Sequence, residues 1–326
     1  MNVLVTSGGR RVSLLDAFRA AAHARGGQVV VADMDGLAPA AFAADHAERV
    51  PRATDAGFVP ALLDAVRRHR TGLLVPTIDT ELQVLADHAD AFAEAGCHVA
   101  GSTPAFVRAT GDKWAAFRAF RDAGIATIPS WLPADALAAD APVAAMPAEL
   151  FVKPRAGSAS AHTYRATPAT LAATLARVPD PVVQAFVRGD EITVDVLYDH
   201  AGALQHFVPR RRIRTVGGES IQGVTLGEPD LRAWLAATLA TLGTLGACGP
   251  VTAQAFRTDA GFVLLEVNPR FGGGFPLGHA AGARYPEWLV ATAAGEAPRL
   301  VLGDYTVGLF MTRHYAETFA TAPLWT

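Results

Sequence analysis

The first 101 residues alternate between short apolar segments and amphipathic segments, and this alternation limits the folds open to the chain. Apolar strands are predicted at residues 2–6, 28–32 and 72–76. Helices, with apolar residues at helical spacing, are predicted at residues 11–25, 59–70 and 81–95. Strands separated by helices and short loops indicate a parallel, doubly wound sheet, which binds ligands at the carboxyl ends of its strands.

The loop after the first strand reads SGGRR and excludes one common use of such a sheet. A dinucleotide fingerprint places three glycines as G-x-G-x-x-G, and this loop lacks them. We therefore exclude a nicotinamide-dependent dehydrogenase. Arg10 and Arg11 stand at a helix start, where they could bind a carboxylate or phosphate or form a solvated helix end.

The rest of the chain has a different pattern, with strands joined mostly by short turns. Helices are predicted at residues 112–123, 169–177, 229–245 and 285–296, and residues 133–148 read as a connector or a small helix. Strands are predicted at residues 149–154, 182–187, 192–198, 252–257, 261–267 and 304–312, with more strand within 203–227. This part is predicted to be α+β and largely antiparallel.

Composition narrows the classes of protein that the chain can represent. The chain has 326 residues, 51% of them hydrophobic, which suggests two or three packed units. A net charge of −3 gives no indication of nucleic acid or an anionic membrane as a partner. The N-terminus reads as a buried strand rather than a signal peptide, and Cys97 and Cys248 lack metal-site spacing. We therefore expect a cytoplasmic protein.

The segment LLEVNPRFGGG, residues 264–274, carries the strongest chemical signal. Residues two apart in a strand face the same side, so Glu266 and Asn268 point together with Arg270 beyond them. A carboxylate and an amide oxygen suit Mg²⁺, and Gln254 in the preceding strand of a predicted hairpin can add a third oxygen. Arg270 would then bind a phosphoryl group with both arms of its guanidinium. The alternative is a polar strand end, but three open glycines disfavour it.

Lysine is rare in this chain, and its two positions therefore carry information. Of the 28 basic residues, only Lys113 and Lys153 are lysines, and the rest are arginines. A compact, flexible ammonium is suited to sites that a planar guanidinium does not fit. Chance in an arginine-biased composition is the alternative explanation.

The order of these motifs along the chain resembles that of ATP-grasp enzymes, closest to single-chain ligases whose core is similar to the carbamoyl phosphate synthetase large subunit. The resemblance covers nearly the whole chain. It implies a Rossmann-like pre-ATP-grasp domain at residues 1–104, a small lid lobe with its linker helix at 105–187 and a C-terminal lobe at 188–326. It also implies ATP and Mg²⁺ as cofactors, with Mn²⁺ as a substitute.

The resemblance assigns roles residue by residue. TGDKWAAF and FVKP match the two nucleotide lysines, Lys113 and Lys153, and RAGSASAH resembles the lid loop, with Gly157 and Ser158 as phosphate contacts. QAFVRGDE matches the hinge beside the adenine and ribose, which implies contacts from Gln184, Ala185, Phe186, Val187 and Glu191. AQAF and LEVNPR match the metal strands, giving the ligands Gln254, Glu266 and Asn268. Arg270 and Lys153 are then the implied catalytic residues.

The sequence departs from the family pattern in two informative places. Ala159 and Ala161 stand in the lid loop where glycines are common, which predicts a stiffer loop than in relatives. A histidine usual in the synthetase-like core is absent near Val216. Since neither a second synthetase half nor an ammonia-generating domain is recognisable, carbamoyl phosphate synthesis is not expected.

Several further residues are candidates for substrate binding. Arg10, Arg212, Arg214 and Gly273 could contact the acid, although the basic run at 210–214 could also be a solvated edge strand. Asp79 and Glu81 follow a predicted strand at a ligand-binding edge. Glu81 could hold a substrate ammonium or cap the helix that it begins.

The resemblance implies an ATP-dependent carboxylate–amine ligase that forms an amide or peptide bond through an acyl phosphate and releases ADP and phosphate. Its expected partners are a small carboxylic acid and an amine, such as an amino acid, and a second copy of the chain in a homodimer. Two alternatives stay open. One is a ligase with a thiol or hydroxyl acceptor, or a kinase that stops at the acyl phosphate. The other is a nucleotide-binding regulatory protein without activity.

Overall fold

The structure is a computed structural model that describes residues 1–138, 146–157, 162–216 and 219–326. The predicted phosphate contact Ser158 and the lid alanines 159 and 161 lie outside the described residues. No helix in the described part of the chain is long and apolar enough to cross a membrane.

The N-terminal part forms the predicted parallel sheet, in the strand order β3-β2-β1-β4-β5. Its strands are β1 (Asn2–Thr6), β2 (Val29–Asp33), β3 (His46–Arg49), β4 (Thr71–Val75) and β5 (His98–Val99), and every pairing is parallel. Its helices are α1 (Val12–His23), α2 (Pro39–Ala43), α3 (Phe58–His69), α4 (Asp79–Asp87) and α5 (Ala89–Glu94). All five residues of β2 are buried, as expected for a parallel sheet covered on both faces.

Two features of this sheet differ from the sequence prediction. The predicted helix 81–95 is two helices, because the ring of His88 donates to the carbonyl of Val84 at 2.8 Å, where a continuous helix would place the backbone amide of residue 88. The strand β3 was not predicted, because its sequence, HAER, has no apolar run.

A four-stranded antiparallel sheet follows, in the order β6-β9-β7-β8. Its strands are β6 (Ser130–Trp131), β7 (Leu150–Pro154), β8 (Tyr164–Ala166) and β9 (Pro181–Ala185). The helices of this region are α6 (Pro104–Gly111), α7 (Lys113–Asp122), α8 (Pro133–Leu137) and α9 (Leu171–Leu175). Asp112 caps α7 by accepting from the amide of Trp114 at 2.9 Å, which fixes Lys113 as the first residue of that helix.

The C-terminal part is a six-stranded antiparallel sheet in the order β14-β13-β10-β11-β12-β15. Its strands are β10 (Asp190–Tyr198), β11 (Leu204–Val216), β12 (Glu219–Thr225), β13 (Pro250–Thr258), β14 (Gly261–Asn268) and β15 (Phe310–Thr312). The remaining helices are α10 (Pro229–Thr244), α11 (Phe275–Ala280) and α12 (Tyr285–Ala293). Buried leucines of α10, such as Leu235 and Leu239, pack with Val194 of β10 and Val251 of β13.

One prediction about this sheet is wrong, and one of the alternatives left open is excluded. The predicted strand 304–312 is only three residues long, since Gly308 has a φ of +76° that interrupts an extended chain. The basic run is not on an edge strand, because β11 lies between β10 and β12.

The parallel sheet followed by a largely antiparallel half confirms the predicted fold class. The three sheets fall within the predicted ranges 1–104, 105–187 and 188–326, but this division into domains stays a prediction. The first and third ranges share one core, in which Phe18 of α1 packs edge-to-face on Phe271 with ring centroids 5.7 Å apart. This contact brings the carboxyl edge of the parallel sheet next to the end of β14.

Candidate active site

The three predicted metal ligands lie together at the open end of the β13–β14 hairpin. Gln254 and Glu266 are directly opposite each other in the register, and the Asn268 amide donates to the Glu266 carboxylate at 3.4 Å. All three side chains are half-buried. One carboxylate and two amide oxygens fit a hard cation such as Mg²⁺ that takes further ligands from water and phosphate. Within the described residues there is no group of three or more His, Cys, Asp or Glu side chains that could hold a metal ion.

A shift in the strand register aims these ligands away from the core. Gln254 pairs with Glu266, whereas the next residue, Ala255, pairs with Leu264, so that Leu265 has no opposite partner. The shift lets Leu264 and Val267 both face the core although they are three residues apart. An extra residue of this kind changes the side on which later side chains emerge, and here it leaves Glu266 on the ligand side.

The two lysines approach the metal strands from different elements. Lys113 donates to the carbonyl of Gly157 at 2.9 Å and to that of Arg155 at 3.3 Å. Lys153 lies on β7 with 7% of its surface exposed. Burial lowers the pKa of Lys153 to about 8, with a smaller raising effect from Glu266 and a lowering effect from Lys113. Burial also lowers the pKa of Lys113, and Glu266 and Asp79 partly oppose this shift. The Glu266 carboxylate therefore raises the pKa of both ammonium groups, against the effect of burial.

The start of the lid loop is fixed by an ion pair. Arg155 donates to both carboxylate oxygens of Asp112, with its Nε at 3.2 Å from Oδ1. Burial tends to raise the pKa of Asp112, but the contacts with Arg155 and with backbone amides outweigh it, and the pKa is lowered. Gly157 then turns the chain with a φ of +96°, a conformation that favours glycine.

The predicted nucleotide hinge is at the end of β9. Gln184 is buried and its amide donates to the hydroxyl of Ser130 at 2.8 Å. The backbone amide of Ala185 donates to the carbonyl of Pro129, and that of Phe186 to the carbonyl of Glu149. Val187 follows Phe186, whose ring carries the guanidinium of Arg165 at 4.0 Å from its centre.

The basic run holds two ion pairs of different character. Arg210 is 2% exposed, and its Nε donates to Asp195 at 3.2 Å inside the core. Arg212 pairs with Glu191, so a predicted substrate residue contacts the residue assigned to the ribose. Arg214 and Arg10 are exposed. Arg210 is therefore structural in this conformation, whereas Arg212, Arg214 and Arg10 stay candidates for substrate binding.

Glu81 occupies the capping position that the sequence offered as an alternative. Its carboxylate has no exposed surface and accepts from the amides of Thr77 at 2.6 Å and Ile78 at 3.1 Å and from the hydroxyl of Ser7 at 2.7 Å. Burial raises its pKa, and these hydrogen bonds oppose that shift. The arrangement caps α4 and leaves no access for a substrate ammonium.

Arg270 reaches across to the parallel sheet. Its Nε and Nη2 donate to the two carboxylate oxygens of Asp79 at 2.6 and 2.8 Å, and its Nη1 donates to the carbonyl of Phe271 at 3.2 Å. Asp79 is the first residue of α4, beyond the carboxyl end of β4. The sequence placed both residues at the site but did not predict that they pair.

Arginines from three other elements surround the glycine loop 272–274. Arg11 donates to the carbonyl of Phe271 at 3.1 Å, and Arg313 donates to that of Gly273 at 2.6 Å. A side chain at Gly274 would come within 2.1 Å of the buried Arg210 guanidinium, so this close approach requires glycine. Arg313 was not predicted, because a single arginine after a short strand carries no distinctive signal.

Comparison with known proteins identifies two families along the chain. A family model described as the PylC-like N-terminal domain matches residues 3–100. A second model, described as ATP-grasp in the biosynthetic pathway with Ter operon, matches residues 177–307. A comparison with curated protein sequences gives no match.

Solved structures with the same fold cover nearly the whole chain. The biotin carboxylase domain of 2-oxoglutarate carboxylase from Hydrogenobacter thermophilus, a dimer in complex with MgADP, ADP and bicarbonate, superposes with a TM-score of 0.75 and 15% identity over 94% of this chain and 73% of its own. The biotin carboxylase of Campylobacter jejuni gives a TM-score of 0.74 and 14% identity, over 91% of this chain and 72% of its own. The N5-carboxyaminoimidazole synthetase of Staphylococcus aureus gives a TM-score of 0.72 and 13% identity, over 91% of this chain and 77% of its own.

These matches and the sheet topology describe two segments of the chain. Residues 177–307 are similar to an ATP-grasp family, and the N-terminal sheet is similar to the PylC-like domain. The resemblance inferred from the order of the motifs is therefore confirmed, and the fold is that of ATP-grasp ligases.

Proposed function

We propose that the protein is an ATP-dependent carboxylate–amine ligase that forms an amide or peptide bond through an acyl phosphate and releases ADP and phosphate. The observation that carries this proposal is that the two lysines lie near each other, since Lys113 donates to the carbonyl of Arg155, two residues after Lys153, and that Glu266 raises the pKa of both. The chain has only these two lysines. Lys113 is the first residue of α7, and Lys153 lies on β7, in a different sheet from Glu266 on β14. Such a concentration of cations beside a carboxylate suits a metal-bound polyphosphate.

In this proposal the nucleotide lies between the four-stranded and six-stranded sheets. Lys113, Lys153 and the lid residues Gly157 and Ser158 contact its phosphates. The hinge residues Gln184, Ala185, Phe186 and Val187 surround the adenine, and Glu191 binds the ribose after exchanging its contact with Arg212. The structural support is that Lys153 and the hinge lie on the paired strands β7 and β9, with Lys153 opposite Val182, and that Glu191 follows the hinge at the start of β10.

Gln254, Glu266 and Asn268 would hold Mg²⁺, or Mn²⁺ in its place. The bound ion would supply charge neutralisation for the phosphates. The chain's own residues would stabilise the transferred group. Lys153 and Arg270 compensate the negative charge that accumulates on the transferred phosphoryl group, and both are therefore assigned as catalytic.

The reaction proceeds in two balanced steps. A carboxylate oxygen of the acid attacks the γ-phosphorus, the bond to the β–γ bridging oxygen breaks, and ADP leaves. The lone pair of the amine then attacks the acyl carbon, the carbon–oxygen bond breaks, and phosphate leaves with the former carboxylate oxygen as the amine proton is released. Positioning of the reactants is the main contribution expected of the protein.

The acid and the amine are proposed to meet between the carboxyl edge of the parallel sheet and the glycine loop. Arg10, Arg212 and Arg214 are candidate contacts for the acid, and the backbone of Gly273 is a candidate oxyanion contact. We further propose that the protein is cytoplasmic, because Cys97 and Cys248 are free thiols. We also propose a homodimer, because a structural neighbour was solved as a dimer.

A substrate screen tests the proposed function. MgATP, small carboxylic acids and amino acids are combined in pairs, and ADP and AMP are quantified separately. Bicarbonate is included as an acid, since a structural neighbour contains it. We expect ADP release that requires one acid and rises with one amine. Release of AMP and pyrophosphate by a matched pair would contradict the proposal, and ester or thioester products would indicate a different acceptor.

The pKa of Lys153 predicts how nucleotide affinity depends on pH. Its folded-state pKa of about 8 lies below the usual 10.5, so the ammonium is charged below pH 8 and neutral above it. The dissociation constant of MgATP should therefore rise by up to about tenfold per pH unit above pH 8. Calorimetric titration across this range measures it, with proton uptake on binding as a second readout.

The control for this prediction is Lys153→Arg, whose guanidinium stays charged across the range. We expect that its nucleotide affinity is nearly independent of pH, whatever its absolute value. A wild-type affinity that does not change across pH 8 would remove Lys153 from the phosphate site.

A further inference from the structure

The contact between Arg270 and Asp79 joins two parts of the molecule that meet at the candidate site. The two residues are 191 positions apart in sequence, and their side chains form two parallel hydrogen bonds of 2.6 and 2.8 Å. The Arg270 side chain is 13% exposed and that of Asp79 is 37% exposed. Paired donors and acceptors of this kind are among the stronger ionic contacts in proteins.

Asp79 is the accessible carboxylate of the two that follow β4. Glu81 is fully buried and capped by backbone amides, whereas Asp79 points to the site and is also close enough to influence the charge of Lys113. Acids in the first turn of a helix are often explained by the helix dipole alone. Here the carboxylate instead has both of its oxygens on one guanidinium.

The edge of Arg270 that faces Asp79 cannot bind a phosphate at the same time. Nε and Nη2 form the edge of the guanidinium that faces Asp79, and Nη1 donates to the carbonyl of Phe271. A guanidinium binds a phosphate bidentately through one such edge. Arg270 therefore has to leave Asp79, in whole or in part, before it can bind a phosphoryl group in this way.

We propose that Asp79 is a positioning residue that holds Arg270 away from the nucleotide, and that the γ-phosphate has to displace Asp79 to recruit Arg270. The inference rests on the proposed function, because it takes Arg270 as the ligand of the transferred phosphate. Asp79 then sets how strongly the protein distinguishes a nucleoside triphosphate from a diphosphate. ADP lacks the group that competes for Arg270, so its affinity does not depend on the exchange.

The expected effect follows from the population of the competent state. If Arg270 is paired with Asp79 most of the time, the affinity for a triphosphate is reduced by the small fraction of molecules in which Arg270 is available. Asp79→Asn and Asp79→Ala should therefore tighten binding of the β,γ-imido analogue of MgATP by about tenfold. Binding of MgADP should change by much less.

The experiment is calorimetric titration of both nucleotides with the wild type and four variants. Asp79→Asn keeps the shape of the side chain, and Asp79→Ala removes the acceptor altogether. Arg270→Met, alone and combined with Asp79→Asn, completes a double-mutant cycle. In the Arg270→Met background, we expect that Asp79→Asn no longer tightens binding of the triphosphate selectively.

The matched control is Glu296→Gln. Glu296 also accepts from the Nε and Nη2 of an arginine distant in sequence, Arg25, at 3.3 and 2.9 Å. This pair is exposed, and Arg25 follows the C-terminal end of α1, whereas the candidate site lies at the carboxyl ends of the strands. Its loss should alter the affinity for neither nucleotide.

Each outcome has a distinct meaning. If the Asp79 variants bind both nucleotides more tightly by the same factor, the effect is only the loss of one negative charge. If they bind the triphosphate no more tightly than the wild type, the γ-phosphate does not displace Asp79 from Arg270. Either result overturns the proposal. Wild-type protein that binds neither nucleotide would instead contradict the proposed function itself. Selective tightening that persists without Arg270 would also overturn the proposal.

Discussion

The Lys153→Met variant is expected to lose ATP turnover by two to three orders of magnitude while melting at the same temperature as the wild type or higher. Removal of one preorganised charge from a reacting site typically costs about 10²–10³ in rate. The folded state gains instead, because burial of the ammonium lowers its pKa to about 8 and methionine has no charge to bury. The gain in unfolding free energy is at most about 3 kcal/mol at neutral pH.

Loss of turnover without loss of thermal stability distinguishes a functional lysine from a structural one. Turnover is measured as ADP release, and stability by thermal unfolding of the nucleotide-free protein. Arg299→Met, an exposed cation after α12, is the control and should change neither quantity. Near-wild-type turnover in Lys153→Met would exclude Lys153 from catalysis, and a large fall in melting temperature would make the loss of turnover uninformative about phosphate binding.

Replacing Glu266 by glutamine is expected to slow phosphoryl transfer by about 10²–10³, with a smaller loss of nucleotide affinity. The substitution keeps the side-chain volume but removes the only carboxylate among the three predicted ligands, so half-saturation should need more Mg²⁺. A second consequence follows from charge. Glu266 opposes the lowering of the pKa of both lysines, and the loss of ATP affinity should therefore begin at a lower pH in this variant.

A magnesium titration of initial rates at saturating ATP measures the first effect. Glu94→Gln, an exposed glutamate at the end of α5, is the matched control and should leave the titration unchanged. Identical magnesium dependence in the wild type and Glu266→Gln would refute the assignment of Glu266 as a ligand.

The parts of the fold that were predicted from sequence are those set by local pattern. The strands β1, β2 and β4 are short apolar runs, and the helix α7 begins at a capping Asp112. In contrast, β3 was missed because its side chains are only partly buried, and residues of this kind leave no periodic signal.

The candidate site could be predicted in outline for a similar reason. Glu266 and Asn268 are two residues apart on a strand, which places them on one face without any knowledge of the rest of the molecule. The register shift at Leu265 was not predictable, because it depends on how β14 pairs with β13. Its effect is to reconcile a core-facing Leu264 with a ligand-facing Glu266.

Contacts between distant segments could not be predicted from the sequence. The pair of Arg270 and Asp79 depends on how the two sheets pack, whereas the buried pair of Arg210 and Asp195 depends on the register between β10 and β11. An arginine run usually indicates a solvated surface, and only the position of β11 inside the sheet explains why Arg210 is buried.

The route of one carboxylate oxygen tests the proposed reaction most directly. The acid identified by the substrate screen is labelled with heavy oxygen in its carboxylate, and the amine and MgATP are added. Formation of an acyl phosphate predicts one labelled oxygen in the released phosphate per amide formed, with ADP as the nucleotide product. Hydroxylamine in place of the amine should yield the hydroxamate of the same acid. Label found in AMP, or phosphate without label, would contradict the mechanism.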